Sequence, residues 1–158
     1  MRTLLALLLL AGCKGGSAAL PPPKMDTARA TAGSFAAAVK VRSLDGIVAL
    51  LPHEEQLAGV LDCDVAALAQ KLKDHVDRDL KELPEGNTIE IGAFDKYGSE
   101  DKAYKAGDEF EGCKVKAPFA EHRAKVELHL VHDSKTDFKD AVMRFVQFPG
   151  DDKWYYLR

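Results

Sequence analysis

Residues 64–94, DVAALAQKLKDHVDRDLKELPEGNTIEIGAF, change their apolar period partway along, and that change decides the fold class. In the first part, Val65, Leu68, Ala69, Leu72, Val76, Leu80 and Leu83 recur at helical spacing and define one apolar face over residues 64–83. Asp74 with Arg78 and Asp77 with Lys81 sit four apart on the wet side, where such pairs each contribute tenths of a kcal/mol. Pro84-Glu85-Gly86-Asn87 breaks the pattern. From Thr88 to Phe94 the period becomes two, the signature of a strand.

The same division holds outward in both directions. On the N-terminal side, Asp26 and Thr27 offer capping oxygens to a helix over residues 28–41, with Ala28, Ala32, Phe35 and Val39 on one face. Ser43 caps a short second helix whose Leu44, Ile47, Val48 and Leu51 form a buried stripe, and Pro52 stops it. Residues 54–61 add a further helical turn or two. On the C-terminal side, residues 95–108 (DKYGSEDKAYKAGD) are polar and glycine-containing and read as a loop. Residues 109–116 form a strand. Residues 123–132 alternate most clearly, with Val126, Leu128 and Leu130 facing one way and Glu127 and His129 the other. After a turn at 133–135, residues 138–148 and 153–157 complete the strands. One of the adjacent Tyr155 and Tyr156 is expected to point inward and the other to water. Helices first and antiparallel strands after make an α+β fold.

Two stretches resemble a known superfamily. FAAAVKVRSLDGIVALLP (residues 35–52) and RFVQFPGDDKWYYLR (residues 144–158) look like the opening helices and terminal hairpin of the nuclear transport factor 2 superfamily. The resemblance implies helices packed on a curved antiparallel sheet, the cone-shaped, cystatin-like form, over residues 26–158 as a single domain. That superfamily includes isomerases, dehydratases and cyclases with Asp, His and Tyr in the cone. None of their catalytic residues maps onto this sequence by motif.

The N-terminus reads as an address. Arg2 is followed by LLALLLL (residues 4–10), Ala11, Gly12 and Cys13. The run is too short to span a bilayer, which takes about 20 apolar residues, and has the form of a signal peptide. Leu10-Ala11-Gly12-Cys13 matches the lipobox of bacterial lipoproteins. The resemblance implies cleavage after residue 12 and acylation of Cys13. Two or more acyl chains there would anchor the chain stably in a membrane. Lys14, in place of Asp, implies the periplasmic face of the outer membrane in preference to the inner membrane. Residues 13–25 form a lipidated start and a Gly/Pro linker, long enough to hold the domain roughly 20–35 Å from the lipid.

Removing residues 1–12 leaves 21 basic against 25 acidic side chains, a net charge of −4. That balance excludes a nucleic-acid partner, which requires a basic face. Export to an oxidising compartment also bears on the two remaining cysteines. Cys63 and Cys113 are expected to pair as a disulfide. Neither has a Cys or His at metal-ligand spacing, and no C-x-x-C redox motif is present.

Few residues carry recognisable chemistry. His129 and His132 fall on opposite faces of a strand and cannot share a metal. Glu127 and His129 share a face and read as a solvated pair. Tyr97 and Tyr104 are expected in a loop, and Trp154 in the core or a pocket wall. There is no phosphate-binding glycine loop and no nucleophile elbow. The sequence assigns no catalytic residue, metal, cofactor or ligand contact. It favours a non-catalytic envelope module binding a protein, glycan or small apolar ligand. A structural, pilot-like assembly lipoprotein comes second and a small isomerase- or dehydratase-like enzyme third.

Overall fold

The computed structural model describes residues 20–158. The expected signal peptide of residues 1–12, the expected lipidation site Cys13 and the start of the expected linker lie outside the described residues.

Among the described residues four helices come first: α1 (Ala28–Lys40), α2 (Leu44–Val48), α3 (Glu54–Val60) and α4 (Val65–Glu82). Each begins where a side chain satisfies otherwise unpaired backbone groups. Thr27 Oγ1 accepts from the Ala30 N–H, Ser43 Oγ from Gly46 and Asp64 Oδ1 from Ala67, all at 3.0 Å. Gln56 Oε1 accepts from the His53 N–H at 2.9 Å and plays that part for α3. The turn between α1 and α2 holds Arg42 at a φ of 52°. Its guanidinium donates to the Leu80 and Leu83 carbonyls at 2.8 and 3.0 Å, so a cation closes the negative end of α4. α2 approaches α1 closely because residue 46 is glycine. A Cβ there would lie 2.8 Å from Leu20 and 3.1 Å from Ala38.

The strands are β1 (Leu61–Asp62), β2 (Thr88–Ile91), β3 (Glu100–Tyr104), β4 (Glu109–Phe110), β5 (Cys113–Val115), β6 (Phe119–His132), β7 (Lys135–Gln147) and β8 (Tyr155–Tyr156). The fold is α+β, with helices on a strongly curled antiparallel sheet. Its spine is the long hairpin β6–β7, paired from Ala120↔Gln147 to His132↔Lys135. β8 pairs only with Phe145 and Val146 of β7. β2 and β3 share the opposite edge in tandem. β2 lies against the far half of β6 and β3 against its near half. Between them the chain stays attached, with Gly92 N–H donating to Glu127 O and Lys96 N–H to Lys125 O, both at 2.8 Å. β1, β5 and β4 make a separate small sheet.

Several expectations are corrected. Residues 100–104 are a strand, not a loop, because Tyr104 is an anchor, 2% exposed, stacked on Phe119 at 4.8 Å. Its apolar ring and hydrogen-bonding hydroxyl pull an otherwise polar segment onto the sheet. Residues 109–116 are a two-residue hairpin, turning at Glu111 (φ 51°) and Gly112 (φ 80°). Both positions take the left-handed backbone that such turns require. Tyr155 and Tyr156 are both buried, because the sheet has cover on both faces here: Phe148 beside Tyr155, Phe35 beside Tyr156. On α4, Lys81 pairs with Asp77 at 2.6 Å as expected. Asp74 accepts from Gln70 instead, and Arg78 turns to Asp79 at 3.7 Å.

Cys63 and Cys113 form a disulfide. It ties the link between β1 and α4 to the start of β5, closing a separation of 50 residues. The main core lies between the helices and one face of the sheet, where Ala32, Ile47, Leu50, Leu57, Val126 and Phe145 are at most 1% exposed.

Candidate functional site

Alternation sorts the β6–β7 hairpin into two faces. One carries Ala124, Val126, Met143 and Phe145 toward the helices. The other carries Phe119, Glu121, Arg123, Arg144 and Val146 at the base of the hairpin, then Lys125, Glu127, His129, Phe138, Asp140 and Val142 toward its tip. The base of this second face is covered. Phe110 of β4 meets Tyr104 and Phe119 edge-on, with centroids at 5.1 and 5.0 Å. The tip is open.

Three polar constellations invite a chemical reading. The first is the covered base. Glu121, 1% exposed, accepts from Tyr104 Oη at 2.6 Å, Arg123 Nε at 2.9 Å and Arg144 Nε at 2.5 Å. Arg144 also donates to Glu111 at 2.5 Å. Burial pushes the Glu121 carboxyl up, but the hydrogen bonds from Arg144, Arg123 and Tyr104 outweigh it and hold the group at about 2. Burial, then the bond to Glu121, lifts Tyr104 to about 12. A carboxylate held ionised, with its oxygens already engaged, has neither a proton to give nor a free lone pair suited to taking one. The neighbouring hollow, lined by Leu72, His75, Glu111 and Arg144, has a volume of about 10 Å³. This group holds the small sheet to the large one. Sequence reading missed it because Glu121, Arg144 and Tyr104 are remote from one another and each looks like a surface residue.

The second is His122, whose Nδ1 meets Asp101 at 2.6 Å and whose Nε2 meets Asp95 at 2.8 Å. Phe94 stacks on it and Trp154 meets it edge-on. Burial lowers the imidazole pKa, but hydrogen bonds to Asp101 and Asp95 outweigh that and raise it. Both ring nitrogens are occupied, so the ring braces the bend between β2 and β3. The third is Tyr155, which donates to Asp151 at 2.6 Å and receives from Gln56. Burial, then Asp151, raises Tyr155 to about 12. It joins α3 to the terminal turn.

The interior offers little room. Between α1, α4, β2 and β8, a cavity of about 70 Å³ is lined by Phe35, Val39, Val76, Ile89 and Tyr156. Sites for small organic ligands run from about 300 to 1,000 Å³. Among the described residues no cluster of three or more His, Cys, Asp or Glu could hold a metal ion, and no helix is long and apolar enough to cross a membrane.

The open tip of the hairpin is different. Phe138, Val142 and Tyr97 are 67%, 55% and 78% exposed, large apolar side chains in water on one surface. A shallow groove of about 390 Å³ runs past Lys96, Tyr97, Lys125, Asp140 and Val142. Charges lace it in opposite-sign pairs. Lys96 Nζ contacts Glu127 at 2.8 Å and Asp140 at 3.6 Å. His129 Nε2 meets Glu127 at 2.9 Å and its ring lies edge-on to Phe138 at 4.7 Å. The Glu127–His129 pair expected from alternation is therefore formed and half-buried, with Lys96 as an unforeseen third member. Hydrogen bonds from Lys96 and His129 hold Glu127 below the usual carboxylate range, and the bond to Glu127 raises Lys96. Gly92 makes room, since a Cβ there would collide with the His129 ring. His132 is separate, near Asp133 at the hairpin turn.

Neither a known family, a curated protein nor a solved structure matches this chain. The fold and this surface define the class: an α+β protein with a packed interior and an open, partly apolar sheet face.

Proposed function

We propose that this chain is a lipid-anchored bacterial envelope protein whose cone-shaped, cystatin-like domain is a non-catalytic module that binds another protein. The observation that carries the binding mode is the contrast between the nearly filled interior and the open face of β6–β7. A cavity of about 70 Å³ argues against a small apolar ligand held in the cone. Phe138, Val142 and Tyr97, exposed and ringed by Lys96, Lys125, Glu127 and Asp140, have the composition of an interface centre with a polar rim. The anchor reading rests on Leu10-Ala11-Gly12-Cys13 and on Arg2 with the apolar run before it. Lys14 supports the periplasmic face of the outer membrane. Engagement of the charges of Glu121 and His122 in structural contacts weighs against the enzyme reading.

Two measurements test the proposal. Intact mass of the membrane-extracted chain should show acylated Cys13 and loss of residues 1–12; an unlipidated, uncleaved mass refutes the anchor. A photo-crosslinking residue at Val142 or Tyr97 should capture a discrete envelope protein in cells. The same residue at Lys73, on the wet side of α4, should not. Equal labelling from both places refutes the binding face.

A further inference from the structure

The outer edge of β7 carries information that its face does not. β8 covers that edge only at Phe145 and Val146, and the chain end extends the cover to Arg144, which donates to Arg158 O at 2.8 Å and accepts from Leu157 N–H at 2.9 Å. From Lys135 to Met143, among the described residues, no strand lies alongside. In an antiparallel ladder, alternate residues turn their backbone groups to opposite neighbours. Arg144 turns outward, so Val142, Asp140, Phe138 and Thr136 do too. Their N–H and C=O groups form an unpaired row.

Edges of this kind commonly carry charges that discourage pairing with other chains. Here the charges are arranged so that, of the four registers centred from Asp137 to Asp140, one escapes the penalty; registers centred further toward either end of the strand shorten the overlap of the uncovered residues 135–143. Two copies of the strand related by a twofold axis can meet only in registers that match outward residues with outward residues. Centring the axis on Asp140 sets Asp140 against itself. Centring it between the pairs about Lys139 sets Lys139 against itself, and doing so about Asp137 sets Asp137 against itself. Centring it on Phe138 sets no like charges opposite each other. Phe138 then faces Phe138 of the second copy, Asp137 faces its Lys139, Lys139 faces its Asp137, and Lys135 faces its Ala141. Facing aromatic pairs and opposite charges are the stabilising cross-strand combinations.

We infer that β7 joins β7 of a second copy of this chain, antiparallel and centred on Phe138, so that two curled sheets become one continuous sheet. Such a pairing is a closed, isologous contact that uses the same β7 edge on both copies. Phe138 is shared with the binding face proposed above, but the inference rests on the backbone edge of β7 and leaves Tyr97 and Val142 on the open face.

Cysteine cross-linking of the full chain in the envelope tests it. Phe138→Cys sits on the axis, where paired Cα atoms are about 5.5 Å apart, and should form a disulfide-linked dimer on mild oxidation. Ser134→Cys would lie about 27 Å from its counterpart in this register and should remain monomeric. In the Phe138→Cys background, Lys139→Asp puts like charges opposite each other twice and should slow cross-linking about tenfold. Adding Asp137→Lys should restore it. All of these side chains are exposed, so circular dichroism should be unchanged. A monomeric Phe138→Cys chain overturns the inference, as does equal cross-linking at residue 134 or a charge reversal without effect.

Discussion

Glu121→Gln tests whether the buried carboxylate is a structural clamp. The substitution keeps the shape of the side chain. Its Oε1 can still accept from Arg123 and Arg144, and Tyr104 can rotate its hydroxyl to accept from the new amide. What is lost is the charge that neutralises Arg144, whose side chain is only 12% exposed. Removing one partner of a buried ion pair costs about 3–5 kcal/mol. Glu111 still faces Arg144 at 2.5 Å and the hydrogen bonds persist, so the cost falls below that range, at about 2 kcal/mol. With a urea slope of about 2 kcal/mol per M, the unfolding midpoint should drop by about 1 M. The pH dependence gives an independent check. Glu121 is held at about 2 against an ordinary value of 4.5. A carboxyl depressed on folding stabilises the native state above its unfolded value, and that contribution is lost as pH falls through the folded one. The gap between the natural chain and Glu121→Gln should therefore be full at neutral pH and close between pH 4.5 and 2. Urea midpoints at pH 7, 4 and 3 measure it. A gap below about 0.5 kcal/mol at pH 7, or one that does not shrink on acidification, refutes the clamp.

Three further outcomes follow from the same structure. Cys63→Ser with Cys113→Ser should lower stability by about 4 kcal/mol, the loop-closure value for a separation of 50 residues, read as a urea midpoint under non-reducing conditions. His122, raised by Asp101 and Asp95, stabilises the fold most below its ordinary value of 6.5, and this contribution is lost as pH rises through the folded value. Thermal melts from pH 5.5 to 8.5 should show that decline in the natural chain and a flatter profile in His122→Phe. Arg42→Ala removes the cation from the α4 terminus and should cost about 1 kcal/mol in urea unfolding; no change would mean water caps those carbonyls equally well.

The elements were legible because their signals are local. The apolar stripe Leu68–Leu72–Val76 specifies α4, Thr27, Ser43 and Asp64 mark helix starts, and the alternation through Val126 marks β6. The strand at residues 100–104 was not legible, because four of its five residues are exposed and only Tyr104 is buried. The Glu127–His129 pair could be read from spacing along one strand, whereas Lys96 reaches it from the loop after β2.

By itself the sequence determined an α+β order, an acidic balance and two cysteines placed to pair. Period, capping and composition are properties of neighbouring residues, and neighbours are what a sequence preserves. Tertiary structure alone decided that Glu121 lies buried between two arginines, that both Tyr155 and Tyr156 point into cover, and that one face and one edge of the long hairpin stay open. Burial, charge pairing and exposure depend on which distant segments pack together. Only the folded chain brings Glu111, Glu121 and Arg144 within hydrogen-bonding distance, or leaves Phe138 in water.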